Sequence, residues 1–186
     1  MPESSYPDNP IIHLEVYDPD TGDLNTIIET PKGFRNKYKF DPNSGLFRLS
    51  GVLPSGAVFP FDFGFIPSTL GEDGDFLDVL VLMDEPAYTG CLITTRLVGV
   101  IEAEQTEKSK KKERNDRLIA IASKSHRYQN VKKLNQLGIF LLDEIEHFFI
   151  SYNETMGRKF VPLRRADVPD AKKIIAKGIK AFKKQE

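Results

Sequence analysis

Four carboxylates crowd around one glycine in Glu72-Asp73-Gly74-Asp75-Phe76-Leu77-Asp78, and the chain then runs straight into the apolar Val79-Leu80-Val81-Leu82. The apolar run is short, β-branched and preceded by turn residues, which is the pattern of a buried strand. The acids therefore sit on the loop that feeds it. Asp73, Asp75 and Asp78 fall at i, i+2 and i+5, so a turn pivoting on Gly74 can aim all three at one concave spot. Carboxylates held that close repel one another unless a cation lies among them. One reading is a site for a hard cation on oxygen ligands, Mg2+ with Mn2+ as a substitute. The other is a solvent-facing Asp/Gly turn between two strands.

At 186 residues the chain suits a single domain spanning 1–186. With 26 Lys and Arg against 27 Asp and Glu, no global field recruits nucleic acid or an anionic membrane. Cys91 stands alone, which excludes an internal disulfide and suits a reducing compartment. Residues 1–10 are rich in Pro, Ser and Asp, with neither the basic nor the apolar part of a leader, and no later run approaches membrane-spanning length. The expectation is a mobile arm over 1–10 on a cytoplasmic protein.

Along the chain, Ile11 to Tyr17 alternates and predicts a strand, stopped by the turn signal of Asp18 to Asp23, and Thr26 to Thr30 predicts a second. Lys37 to Asp41 and Leu46 to Leu49 flank Pro42-Asn43-Ser44-Gly45, a hairpin whose Lys37, Lys39 and Arg48 can form a cationic patch or a merely solvated face. In the segment Phe59 to Pro67, Phe59, Phe61, Phe63 and Phe65 share one side of a strand, with Asp62 on the other. Leu92 to Ile101 is a strand bulged near Gly99. Residues 102–114 read as a mobile charged loop. Asp116 and Arg117 stand at the entrance of the strand Leu118 to Ala122. Helical periodicity then covers Gly138 to Tyr152 and, in basic amphipathic form, Val168 to Lys184. His13 and His147 lack partners at ligand spacing and read as packed or surface residues.

The run Asp73-Gly74-Asp75-Phe76-Leu77-Asp78-Val79-Leu80-Val81 resembles the signature of the soluble inorganic pyrophosphatases with a β-barrel core (family I). The resemblance extends, in family order, from Ile27-Ile28-Glu29 and Lys37-Tyr38 through the Phe59 to Pro67 segment to Leu97-Val98-Gly99-Val100, Asn115 to Ala120, and His147-Phe148-Phe149 with Tyr152. It implies an α+β, mainly β fold: a closed or partly closed antiparallel β-barrel, OB-like, with two flanking helices. It also implies a homo-oligomer and Mg2+-dependent hydrolysis of pyrophosphate to two phosphates by a metal-activated water. In that mechanism positioning and charge neutralisation do most of the catalysis.

By the same resemblance Asp73, Asp75, Asp78 and Asp116 are metal ligands, and Asp75 takes the proton of the nucleophile. Lys37, Arg48, Arg117, Tyr152 and Lys159 bind phosphate, and Glu29 lies behind them. Several positions depart from the family pattern. Lys39 stands where a glutamate is usual, Gly51 aligns with a substrate arginine, and Phe59 and Phe63 replace tyrosines. Asn115 replaces an aspartate, Arg117 and Asn153 replace lysines, and Phe76 replaces the proline of the signature. A further acid falls among Glu102, Glu104 and Glu107, in blurred register. Two alternatives stay open: a hydrolase of another phosphoanhydride, and a non-catalytic phosphate-ligand or protein-binding module on the same scaffold.

Overall fold

In a computed structural model the chain is described over residues 9–106 and 111–185. Nine strands and two helices follow in the order β1 (Leu24–Thr30), β2 (Asn36–Asp41), β3 (Leu46–Val52), β4 (Asp62–Ile66), β5 (Leu77–Leu82), β6 (Leu92–Thr106), β7 (Lys112–Arg114), β8 (Arg117–Ala122), α1 (Ile139–Thr155), β9 (Lys159–Asp167) and α2 (Val168–Phe182). Strands β1, β4, β5, β8 and β6 hydrogen-bond in sequence, and β6 returns to β1. The ring is therefore closed, as a barrel must be to remove its sheet edges.

The ring is not wholly antiparallel: β5 and β8 run parallel, with Val79 opposite Leu118 and Leu82 opposite Ile121. The physical reason lies in the connection. Parallel neighbours cannot be joined by a tight turn, and here the long β6 and the short β7 intervene between them. Alternation along both strands sends Leu80, Leu82, Ile119 and Ile121 to a core shared with α1 through Leu142, Ile145 and Phe149. Val79, Val81, Leu118 and Ala120 face a second core shared with α2 through Ala171 and Ile175. Period-2 strands meeting period-3.6 helix stripes thus explain the two helices and where each one docks.

Two further expectations change. Ile11 to Tyr17 forms turns and one isolated bridge, Tyr17 to Leu24, rather than a strand. Its amides are used locally: Ile11 N donates to the Asn9 side chain at 2.9 Å and Ile12 N to the Asn9 carbonyl at 3.1 Å. The alternation there still buries Ile12 and Val16. Second, Glu102 to Thr106 continues β6, paired with both β7 and β9. The charged residues alternate with Ala103 and Gln105, which are buried. Residues 107–110, like most of the 1–10 arm, lie outside the described residues. The bulge expected near Gly99 is present, as a register shift between Leu97 and Gly99 against β8.

Helix α2 starts behind Asp167 with a proline in its first turn, where a missing N–H costs nothing. It packs so closely on the acidic loop that a Cβ at Gly178 would stand 2.7 Å from Leu77 Cδ1. Leu70 N also donates to Gly178 O at 3.1 Å. The base of the acidic loop is thereby braced by the last helix of the chain.

Candidate active site

The acidic loop is a tight turn. Gly71 N donates to Asp75 O at 2.7 Å, Gly74 N to Gly71 O at 3.3 Å, and Asp75 N to the Asp73 carboxylate at 3.2 Å. Gly74 has φ 84°, a conformation that favours glycine. Phe76 pins the turn by stacking on Phe65, centroids 4.8 Å apart at 22°, and touching Phe40 and Phe182. An aromatic anchor thus holds the turn against the barrel strands β2 and β4 and against α2.

The turn delivers Asp73, Asp75 and Asp78 to one cleft of about 750 Å3, where they meet Glu29, Lys37, Lys39, Arg48, Arg117 and Tyr152. Six carboxylates line it (Glu29, Asp41, Asp73, Asp75, Asp78, Glu113) against five cations (Lys37, Lys39, Arg48, Arg117, Arg158), a formal charge of −1. Burial, followed by repulsion from Asp78, raises Asp73 to about 6. Glu29 is pushed up to about 7, chiefly by burial; the Phe40 amide that it accepts at 2.7 Å opposes the shift.

Two of the three loop carboxylates already carry a protein cation. Lys39 Nζ lies 2.6 Å from Asp75 Oδ2, and Arg117 Nη1 lies 2.5 Å from Asp78 Oδ2. Arg117 also donates to the Asn115 side chain. Its guanidinium is held over the rings of Phe149, Phe160 and Phe63 at 4.9, 5.5 and 5.8 Å, contacts favourable for a desolvated cation. Lys37 Nζ stands 5.1 Å from the Tyr152 ring and 5.7 Å from that of Phe63. The phenylalanine at 63 thus contributes a ring face to two cations, where a tyrosine would add a hydroxyl.

Hard carboxylate oxygens in mutual repulsion are the right donor chemistry for Mg2+. Among the described residues, however, no three acidic, His or Cys side chains are assembled as a metal cage. The donor set fits the ion; two of its members are turned toward Lys39 and Arg117.

Other expected residues are placed differently. Arg48 lines the cleft while pairing with Asp41 at 3.2 Å. Asp116 lies outside the cleft and accepts from Ala103 N at 3.0 Å and from Arg114 at 2.8 Å. It lines instead a neighbouring cavity of about 490 Å3 between the acidic loop and α2. Lys159 opens β9, while Met156 and Arg158 just before it reach the cleft. Glu102 is bound to Arg114 and Arg164 at 2.8 and 2.5 Å, Glu104 pairs in the β6–β9 ladder opposite Val161, and Glu107 lies outside the described residues. The cleft positions on this edge are Gln105 and Glu113. Gln105 was legible in principle, since counting by twos from Ala103 puts it on the buried face of β6. Glu113 was hidden by its lysine-rich surroundings.

The family model for inorganic pyrophosphatase matches residues 26–183. An inorganic pyrophosphatase of Nostoc sp. is 38% identical over 165 residues, covering 89% of this chain and 95% of its own. One of Leifsonia xyli is 39% identical over 155 residues, covering 83% and 92%. The crystal structure of inorganic pyrophosphatase from Thermus thermophilus superposes with TM-score 0.83 at 30% identity, over 93% of this chain and 98% of that one. That of the enzyme from Neisseria gonorrhoeae gives 0.84 at 28% identity, over 94% and 99%. Ring closure, the acidic turn and these likenesses agree, and the chain belongs to the inorganic pyrophosphatase family.

Proposed function

We propose that this chain hydrolyses inorganic pyrophosphate to two phosphates with Mg2+ as cofactor, Mn2+ being able to substitute. The observation that carries the reading is the convergence of Asp73, Asp75 and Asp78 with Lys37, Arg117 and Tyr152 on one cleft. Asp73, Asp75 and Asp78 would hold the ion. Bound Mg2+ supplies charge neutralisation for phosphoryl oxygens and acidifies the attacking water. Asp75, half-exposed at the cleft surface, accepts that water's proton. Lys37 and Arg117, each held over aromatic faces, bind and orient phosphate oxygens, with Arg48 and Arg158 as further cations on the cleft. The Tyr152 hydroxyl can donate to the same anion. Glu29 lies beneath, fixing β2 through the Phe40 amide.

Phosphate release from magnesium pyrophosphate tests this. The wild type should turn over only with the metal, and Asp75→Asn should lose a factor of about 10² or more, the range for removing a general base. Absence of metal-dependent release across a range of pH and metal concentration would overturn it. A panel of nucleotides and other organic diphosphates decides between pyrophosphate and a related phosphoanhydride.

We also propose a cytoplasmic homo-oligomer, a reading supported by family membership, the lone Cys91 and exposed apolar residues such as Leu46, Leu49, Val52 and Phe140. A monomer mass in sedimentation equilibrium would oppose the assembly. Among the described residues no helix is long and apolar enough to cross a membrane.

A further inference from the structure

Asp75 and Asp78 are both paired, but the two pairs differ in kind. Arg117 is 5% exposed and enclosed by three rings, so its charge is a fixed part of the fold. Lys39 and Asp75 are 45% and 50% exposed. A pair with that much water around it is weak and exchangeable. Lys39 projects from β2 opposite Arg48 of β3, on a side chain with four flexible carbons, and it can leave Asp75 without leaving the cleft.

A divalent ion that uses Asp75 must take that carboxylate from the ammonium of Lys39, and the displaced charge then repels the ion from nearby. A polyanionic substrate reverses the balance, because its phosphate oxygens offer Lys39 a new partner while freeing Asp75. We propose that Lys39 is a tethered competitor for the metal at Asp75: it holds this carboxylate in the metal-free protein, keeps intrinsic metal affinity low, and couples metal loading to arrival of the diphosphate. The coupling rests on the hydrolase reading. The competition at Asp75 does not.

The experiment counts Mn2+ ions by electron paramagnetic resonance of the free ion, in substrate-free protein. Lys39→Met should tighten Mn2+ binding about tenfold or add a bound ion, the scale of removing one unit charge a few ångströms away in a water-screened cleft. Arg48→Met is the control, a cation on the same cleft that pairs with Asp41 rather than with the acidic turn. It should change binding by less than about twofold, as expected of a well-screened exposed charge. Unaltered binding in Lys39→Met, or equal tightening in both variants, would overturn the proposal. A second arm adds methylenediphosphonate, which is not hydrolysed: the diphosphonate should tighten Mn2+ binding more in wild type than in Lys39→Met, and equal tightening would refute the coupling. Neither arm requires turnover, so failure of the enzyme assay and failure of this inference are separately visible.

Discussion

Glu29→Gln isolates the energetic cost of a buried carboxylate at the back of the cleft. Glu29 is 5% exposed on β1, and its Oε1 accepts the Phe40 amide at 2.7 Å. Burial is the main force raising it from 4.5 to about 7, Asp78 adds to the shift, and Phe40, Lys37 and Lys39 oppose it. Because the folded value lies above the unfolded one, the folded state holds the proton more tightly. The stability linked to neutral Glu29 is therefore fully present below about pH 4.5 and is lost as pH rises through about 7. At about 1.4 kcal/mol per unit, that displacement corresponds to a loss on the order of 3 kcal/mol by pH 8. Glutamine keeps an oxygen for the Phe40 amide and never ionises.

Urea unfolding in EDTA across pH 4.5 to 8 should show the two proteins diverging, with the variant more stable by roughly that 3 kcal/mol at the alkaline end. EDTA matters, because a nearby cation would favour the carboxylate. Stability curves that stay parallel over the whole range would refute the assignment of the shift to Glu29.

Arg117→Ala should destabilise by about 3 kcal/mol or more, since it opens space among Phe63, Phe149 and Phe160 and leaves Asp78 without its partner. Adding Asp78→Asn should recover more than about 1 kcal/mol of that loss in a double-mutant cycle by urea unfolding; strict additivity would contradict the pairing. Gly64→Ala should cost several kcal/mol, on the order of the severe overpacking cases. Its Cβ would lie 2.9 Å from the Ile27 carbonyl carbon, closer still to the oxygen, in the β1–β4 contact. A thermal midpoint within about 2 °C of wild type would show that the two strands can separate without cost.

Residues that announce themselves by period or turn chemistry were readable in the chain. The β2–β3 hairpin closes as Pro42 to Gly45 predict, with Lys39 opposite Arg48, and α1 and α2 lie where apolar residues recur at helical spacing. The acidic turn does aim Asp73, Asp75 and Asp78 into one cleft. Positions set by pairing between distant strands were not readable. Asp116 and Arg117 are sequence neighbours at a strand entrance, yet Arg117 faces the cleft while Asp116 accepts the Ala103 amide of β6, between the stretches paired with β8 and β7. Glu102 and Glu104 are the described acids of their segment, but it is Gln105, between them and Thr106, that faces the cleft. Side chains alternate across a strand, and only the register with β7 and β9 says which face is which.

The sequence by itself determined that a run of acids precedes a buried strand, since no chain can bury Glu72 to Asp78 as it buries Val79 to Leu82. It also determined which donor chemistry would gather there, because residue type alone makes the oxygens hard and negative. Tertiary structure decided what balances that charge. Lys39 lies 36 residues from Asp75 and Arg117 lies 39 from Asp78, and electrostatic pairing depends on distance through space, which only the closing of the barrel brings down to a single hydrogen bond.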